Sequence, residues 1–230
     1  MVSLITEGRS TDPDGKPYPH RRALPVIVLI VVLALLGTVV WFRVLTKPTE
    51  LSAPVVCNPP SVSGPLDPGE PAPQPLGDPV PASTLLDVEP APLAATRVRV
   101  YNANGERGQA ADVASQLSDY GFASAPDVQS GNDPVYVDQN MQCQGQIRFG
   151  TNGLAAASAL WLAMPCAELI QDARTDDVVD LALGTYFRKI QPNTDAEEVL
   201  ASLKNTATGD GSGAAPVDID LLKAARTAQC

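Results

Sequence analysis

The chain has 230 residues, with 26 acidic and 16 basic side chains and a formal net charge of −10. Five of the basic residues and only three of the acidic ones precede Val44, which leaves a net charge of −12 on the rest of the chain. Because residues 44–230 are so acidic, nucleic acid or an anionic lipid surface is not expected to be their main partner. We therefore expect no nucleic-acid partner.

The first element in chain order is an apolar run at residues 23–42, ALPVIVLIVVLALLGTVVWF, without a charged side chain. A helix of 20 residues is about 30 Å long, which matches one hydrocarbon core. Arg21 and Arg22 precede the run and Trp41 lies near its other end. This basic flank predicts a single-pass plasma-membrane protein, with residues 1–22 in the cytoplasm and the remainder outside.

A cleaved signal peptide is the alternative interpretation of the same run. Its apolar core would have about 7–15 residues and would be followed by a small-residue cleavage site. The run is longer than that, and the sequence from Trp41 onward, WFRVLTKPTE, has no A-x-A pattern. The uncleaved anchor is therefore favoured.

Residues 43–96 are predicted to be a linker outside the membrane. The part from Pro48 to Thr96 contains 13 prolines and no Lys or Arg, and it lacks a periodic apolar pattern. Such a segment buries too little surface to offset its ordering entropy, so we expect an extended, polyproline-like or disordered spacer.

Residues 97–190 have the pattern of an α/β domain. Alternating or continuous apolar residues predict strands at 97–100, 122–128, 146–150 and 178–183. Apolar residues at helical spacing predict one helix ending at Gly121 and another ending at Pro165. The order βαββαβ predicts a small sheet with two packed helices.

Residues 191–230 are predicted to be a helical extension. The sequence Thr194-Asp-Ala-Glu197 is a capping-box pattern that opens one helix. A second, short helix is expected from Asp218 to Ala228.

Four cysteines, Cys57, Cys143, Cys166 and Cys230, all follow the apolar run. An even number outside the membrane predicts two disulfides, for which three pairings are possible. We favour Cys143–Cys166, which would join a strand to the helix after it, and Cys57–Cys230. A zinc site is disfavoured, because there is no C-x-x-C pair and no His in this part. No metal and no other cofactor is predicted.

The single histidine, His20, lies before the apolar run, so the outer part has no imidazole base or ligand. Four aspartates surround Arg174, and paired carboxylates can act as acid and base or bind a cation. They are Asp172, Asp176, Asp177 and Asp180. Their spacing fits no calcium loop, so we expect a solvated acidic connection and no enzyme. Asp180 is set apart from the other three, because it lies within the predicted strand 178–183, where a neighbouring Arg is a candidate partner.

The turn formed by Asn104, Gly105, Arg107 and Gly108 is the candidate ligand or partner site. It lies between a predicted strand and a helix N-terminus, where free amides can hold an anion. It lacks the full G-x-G-x-x-G pattern, and tight turning alone would explain the glycines. Trp161 is expected in the core rather than on the surface as a platform for a sugar.

Three segments, VRVYNANG, GQAADVASQLSDYGF and VVDLALGTYF, resemble the LytR C-terminal domain family. Members have a V-x-V-x-N-G turn, a G-x-A-x-x-V-A helix and a closing L-V-L-G-x-D-F. Here Tyr186 replaces the last Asp, and Ala103-Asn104 lengthens the turn. The longer block CQGQIRFGT at 143–151 is more specific and is similar to actinobacterial cell-envelope proteins with this domain.

The LytR proteins proper also carry a large phosphotransferase domain, for which this chain has no room. The resemblance therefore implies a stand-alone accessory domain, acting as a non-catalytic scaffold or adaptor that maintains the cell envelope. Its expected partners are membrane or envelope proteins, including others with LytR C-terminal-like domains. The alternatives are a glycan- or lipid-binding module, with cell-wall glycan as the ligand, and a carboxylate-dependent enzyme.

Overall fold

The computed structural model describes residues 14, 24–46, 55–61, 73–206, 217–227 and 230. It divides the chain into two compact units, Met1–Leu51 and Ser52–Cys230. The predicted cytoplasmic flank with Arg21 and Arg22 lies outside the described residues.

The first unit contains a single described helix, α1, Leu24–Thr46. Its segment Leu24–Trp41 has a mean hydropathy of 2.9 and no buried residue, so by length and composition it is suited to cross a membrane. The hydroxyl of Thr38 donates to the carbonyl of Ala34 at 2.6 Å, which satisfies this polar group within the helix. The helix runs four residues beyond the predicted limit of 42.

The second unit is built on one mixed sheet with helices. Its strands are β1 Asp78–Val80, β2 Arg97–Asn102, β3 Ala123–Ser124, β4 Ser130–Asn132, β5 Gly145–Phe149, β6 Glu168–Gln171 and β7 Val179–Leu183. Its helices are α2 Ser83–Leu86, α3 Gln109–Tyr120, α4 Leu154–Ala163, α5 Thr194–Thr206 and α6 Ile219–Ala225. The strand order is β1-β6-β5-β7-β2-β3, with β4 also paired to β2. The predicted α/β class is confirmed, with a larger sheet than expected.

Strand β2 shows how the sheet separates two environments. Val98 and Val100 are buried on one face, whereas Arg97 and Arg99 point to the other, because successive side chains alternate along a strand. The first face packs with α3, α4 and α5 in the main core. The second face carries a smaller apolar cluster around Tyr136 and several charged side chains.

The segment 73–96 corrects the predicted linker. Strand β1 pairs antiparallel with β6, and the side chains of Leu85 and Leu93 are fully buried in the main core. Pro79 is tolerated because β1 is the edge strand, where a missing N–H need not interrupt the sheet. The ordered domain therefore begins well before residue 97. A few leucines in a proline-rich segment are enough to attach it to the core.

Other differences concern short strands and the C-terminal extension. The predicted strand at 122–128 is only two residues long, and neither β4 nor β6 was predicted. Helix α5 buries Val199, Leu200 and Leu203 in the main core, so the extension is part of the same unit. Helix α6 follows Asp218, whose carboxylate accepts from two amides of its first turn.

The favoured disulfide pairing was wrong. Cys57 is bonded to Cys143, and Cys166 to Cys230, with no free cysteine. The segment around Cys57 lies beside Cys143 because the Asn58 carbonyl accepts from the Tyr136 hydroxyl at 2.5 Å. Each bond thus ties an end of the domain to its core, closing loops of 86 and 64 residues. In the chain-entropy model, each loop is worth about 4 to 5 kcal/mol.

Candidate functional site

The predicted turn lies at the carboxyl end of β2, directly before α3. Gly105 and Gly108 both have positive φ, at 78° and 81°, so the turn requires glycine at these positions. Asn104 builds the turn: its amide donates to the side chain of Gln109 and to the carbonyl of Gly184, both at 2.8 Å. The side-chain oxygen of Asn104, Oδ1, accepts from the backbone amide of Glu106 at 3.0 Å. Asn104 is therefore a structural residue.

Gly105, Arg107 and Gly108 line a cleft of about 380 Å³. The cleft lies where the parallel strands β2 and β4 end, with Asn102 opposite Asn132 in the register. Ligands of open α/β sheets commonly bind outside the carboxyl ends of the strands. The remaining lining residues are Asn102, Ala110, Ala111, Ser130, Gly131, Asn132 and Gln139.

The N-terminus of α3 opens into this cleft through Ala110 and Ala111. The first intrahelical bond runs from the amide of Asp112 to the carbonyl of Gly108, so the amides of Ala110 and Ala111 precede it. No side chain caps this helix end, which follows a glycine. The uncapped amides carry partial positive charge, and Arg107 adds a full charge beside them. Within the described residues Arg107 has no ion pair.

Asn102 is the residue of the site that sequence reasoning missed. It is only 6% exposed, and its amide nitrogen donates to the carbonyl of Glu106 at 2.6 Å. Its Oδ1 atom is buried and has no hydrogen-bond partner in the described part of the chain. A buried polar atom without a partner costs about 1–3 kcal/mol, so such atoms are rare.

Gln139 reaches the cleft from the loop between β4 and β5. It has φ of 55°, and its Oε1 atom would be 3.4 Å from a Cβ placed on Gly105. A residue other than glycine seldom adopts this conformation, which is associated with functional sites when the surroundings enforce it. Here the enforcing contact is a hydrogen bond from the Gln139 amide to the Tyr136 carbonyl at 2.9 Å.

That loop is held on the sheet by a buried ion pair, which sequence reasoning also missed. Arg148 is 2% exposed and contacts the carboxylate of Asp133 at 2.9 Å. Asp133 also accepts from the amides of Val135 and Tyr136, so one carboxylate joins the loop to β5. Burial raises the pKa of the Tyr136 hydroxyl, which donates to Asn58.

The acidic residues around Arg174 were only partly predicted correctly. Asp177 is half-exposed and pairs with Arg97, as expected for a solvated surface. Asp180, however, is 5% exposed and bridges Arg99 and Arg174, with both N–O distances at 2.6 Å. The candidate pairing of Asp180 with a neighbouring Arg is confirmed, because Asp180 lies on the polar face of β7 directly opposite Arg99 on β2.

Arg174 completes this network through Asp172, at 2.6 Å. Burial by itself would lower the pKa of the Arg174 guanidinium, but hydrogen bonds to Asp180 and Asp172 outweigh it and raise the pKa. The same opposition acts on Arg99: burial alone would lower its pKa, but the charge of Asp180, the hydrogen bond to it and smaller contributions from Tyr101 and Asp127 together raise the pKa. These carboxylates are therefore compensated by arginines. The remaining aspartate, Asp176, accepts from the amide of Val178 at 3.2 Å.

Trp161 lies in the core, as predicted. It is 7% exposed, and its indole nitrogen donates to the carbonyl of Pro165 at 3.0 Å. The guanidinium of Arg226 covers the ring at 5.8 Å from its centre. The ring is therefore inaccessible as a platform for a sugar.

Comparison with known proteins identifies the family to which the domain belongs. Residues 95–187 match the family model described as LytR cell envelope-related transcriptional attenuator. The chain is 46% identical over 208 residues to the cell envelope integrity protein Cei of Mycobacterium tuberculosis, which covers 90% of the chain and 93% of that protein.

A solved structure is also similar. It is the soluble domain of a conserved hypothetical secreted protein from Mycobacterium marinum, which is 46% identical, with a TM-score of 0.60. The match covers 68% of this chain and all of the other. Together with α1, this neighbour suggests a single-pass anchor followed by an extracytoplasmic domain. The chain belongs to the LytR C-terminal domain family and is a relative of the cell envelope integrity protein Cei.

Proposed function

We propose that this protein maintains the integrity of the cell envelope as a membrane-anchored scaffold or adaptor that acts by binding rather than by catalysis. The observation that carries the proposal is the 46% identity to an envelope integrity protein across 90% of the chain. The fold is consistent with it, since two disulfides and apolar clusters on both faces of the sheet make a rigid module suited to hold partners in place.

The charged groups of the domain support a binding role. A general acid or base needs a carboxyl group whose environment holds its pKa near the working pH. The buried carboxylates Asp133 and Asp180 are held in ion pairs with arginines within 3 Å, which gives them a structural role. The proposed partners are membrane or envelope proteins with similar domains.

The proposed topology has the N-terminus in the cytoplasm and the domain outside. It rests on Arg21 and Arg22 before the apolar run and on two disulfides after it, which form outside the cytoplasm. A reporter enzyme that is active only outside the cytoplasm should be active when fused after Cys230. If only a fusion before Ala23 is active, this topology is wrong.

The functional test is complementation of a bacterial strain that lacks its homologous envelope integrity protein. Three forms should be expressed at equal levels: the full chain, the domain released from its anchor by a cleavable signal peptide, and the Asp177→Asn variant. We expect the full chain and Asp177→Asn to restore resistance to detergent, and the released domain to fail. Full rescue by the released domain would contradict an anchored adaptor.

A second candidate function, a glycan- or lipid-binding envelope module, is favoured by one observation, the cleft beside α3. The two functions differ in what remains bound to the protein after crosslinking in membranes. An adaptor retains specific envelope proteins, whereas a module retains cell-wall fragments or lipid.

A further inference from the structure

We propose that the cleft between α3 and β4 is a binding site for an anionic sugar, in which a sugar hydroxyl donates to Asn102 Oδ1 and a phosphate or carboxylate group accepts from the amides of Ala110 and Ala111 and from Arg107. This inference rests on the proposed envelope function in one respect, namely that the ligand comes from the cell envelope.

The need for a hydroxyl donor follows from Asn102. Its Oδ1 atom is an acceptor in a residue that is 94% buried in the wall of the cleft, and no described group donates to it. The orientation of the amide is settled by the bond from its nitrogen to the Glu106 carbonyl, since a flipped amide would place two oxygens together. The missing partner is therefore a donor, and a ligand hydroxyl supplies one.

The need for an anion follows from α3 and Arg107. The 12-residue helix α3 begins at the cleft, and the amides of its N-terminus are not capped by a side chain. The helix dipole favours negative charge at this end. Arg107 is exposed at the same rim and has no ion pair among the described residues. A guanidinium binds phosphate and carboxylate groups through several N–H donors at once.

The lining favours a sugar over a lipid chain. Its only apolar side chains are those of Ala110 and Ala111, and every other lining residue is polar or glycine. An acyl chain would find no large apolar side chain there to pack against. The polar walls instead suit a ligand with many hydroxyl groups, and the volume of about 380 Å³ lies at the lower end of the range for small-molecule sites.

The binding test uses the full chain in nanodiscs of zwitterionic lipid, so that no anionic headgroup competes. Four probes are compared by titration calorimetry: glucose 1-phosphate, glucuronate, glucose and inorganic phosphate. The first two share the proposed chemistry and distinguish a phosphate from a carboxylate source. We expect at least one of them to bind at least tenfold more tightly than glucose and inorganic phosphate.

Two matched variants place the site. Ala111→Glu adds a carboxylate at the uncapped end of α3, where negative charge suits the helix, and should weaken binding at least tenfold. Ser115→Glu adds the same charge one turn further along the exposed face of α3, outside the cleft, and should change binding less than twofold. Asn102→Ala should remove the preference for the anionic sugar over inorganic phosphate while phosphate still binds, a result that an unfolded protein cannot give.

The proposal is overturned if glucose or inorganic phosphate binds as tightly as the tighter-binding of the two anionic sugars, if no probe binds at 10 mM, or if Ala111→Glu binds like the wild type. Any of these results leaves the envelope function to be judged by complementation. Conversely, normal sugar binding by a chain that fails to complement would contradict the proposed function and not this site.

Discussion

Two polar regions of the domain, both built from charged or amide side chains around the sheet, differ in how their groups are partnered. On the polar face, Arg99, Asp180, Arg174 and Asp172 form a chain of ion pairs at 2.6 Å. At the end of β2, by contrast, the Asn102 Oδ1 atom has no partner in the described chain, and the α3 amides are uncapped. The first arrangement pairs each of its charges within the domain, although Arg174 Nη1 is also without a hydrogen-bond partner among the described residues. The second combines an unpartnered acceptor with open amides beside a cleft, and we propose that a ligand completes it.

The comparison predicts that the buried ion pair will have the largest effect on stability. Asp133→Ala leaves the guanidinium of Arg148 buried without its charge partner and also removes an acceptor for two loop amides. Breaking a buried pair from one side costs about 3–5 kcal/mol. Denaturant unfolding should show this loss, and a loss below about 1 kcal/mol would mean that the pair does not hold the loop.

The disulfides give the next largest effect and a direct test of the pairing. Replacing both Cys57 and Cys143 with serine should cost about 2–5 kcal/mol, because an 86-residue loop is opened in the unfolded chain. Cys143→Ser by itself should expose one reactive thiol, at Cys57. Peptide mapping of that variant should still find the Cys166–Cys230 bond, and a free thiol at Cys166 would contradict the pairing.

The network on the polar face should be less costly to break, because both arginines keep some contact with water. Asp180→Asn leaves Arg99 and Arg174 with reduced charge compensation, and we expect a loss of about 2 kcal/mol. The matched control Asp177→Asn removes an exposed pair and should change stability by less than about 0.5 kcal/mol. Equal effects of the two variants in thermal unfolding would remove the distinction between buried and solvated aspartates.

The smallest predicted effect is a loss of folding stability at alkaline pH, caused by Tyr136. Burial raises the pKa of its hydroxyl in the folded state, whereas the unfolded side chain titrates near pH 10. The stabilisation is therefore fully present below about pH 10 and is lost as the pH rises through the folded pKa. Tyr136→Phe should unfold with a shallower alkaline slope than the wild type, and an unchanged slope would contradict the assignment. Tyr101, whose pKa is also raised by burial, should keep part of the slope.

The sequence pattern predicted the strands and helices that are determined by neighbouring residues in the chain. Strand β2 followed from its alternation, and α3 from its apolar spacing and from Gly121, which has φ of 111°. The pairing of Cys57 with Cys143 did not follow, because it depends on how a distant segment packs on the polar face. The burial of Leu85 and Leu93 was missed for a similar reason. The many prolines around them predict a linker, and only the tertiary structure shows that these two side chains pack in the core.

The candidate site divides in the same way. The turn at 104–108 was found from its glycines and its place before a helix. The part played by Asn102 was not, because its burial depends on β4, a three-residue strand whose sequence, SGN, has no strand signal. An arginine partner for Asp180 followed from its place in a predicted strand, but the identity of that partner, Arg99, did not. Only the strand order places them side by side.

We propose that this domain supports the cell envelope by binding through the cleft at the N-terminus of α3. This claim is tested most directly by expressing Ala111→Glu and Ser115→Glu, at equal levels and with equal thermal stability, in a strain that lacks its homologous envelope integrity protein. We expect Ser115→Glu to restore detergent resistance to the wild-type level and Ala111→Glu to restore little or none. Full restoration by Ala111→Glu would contradict the claim.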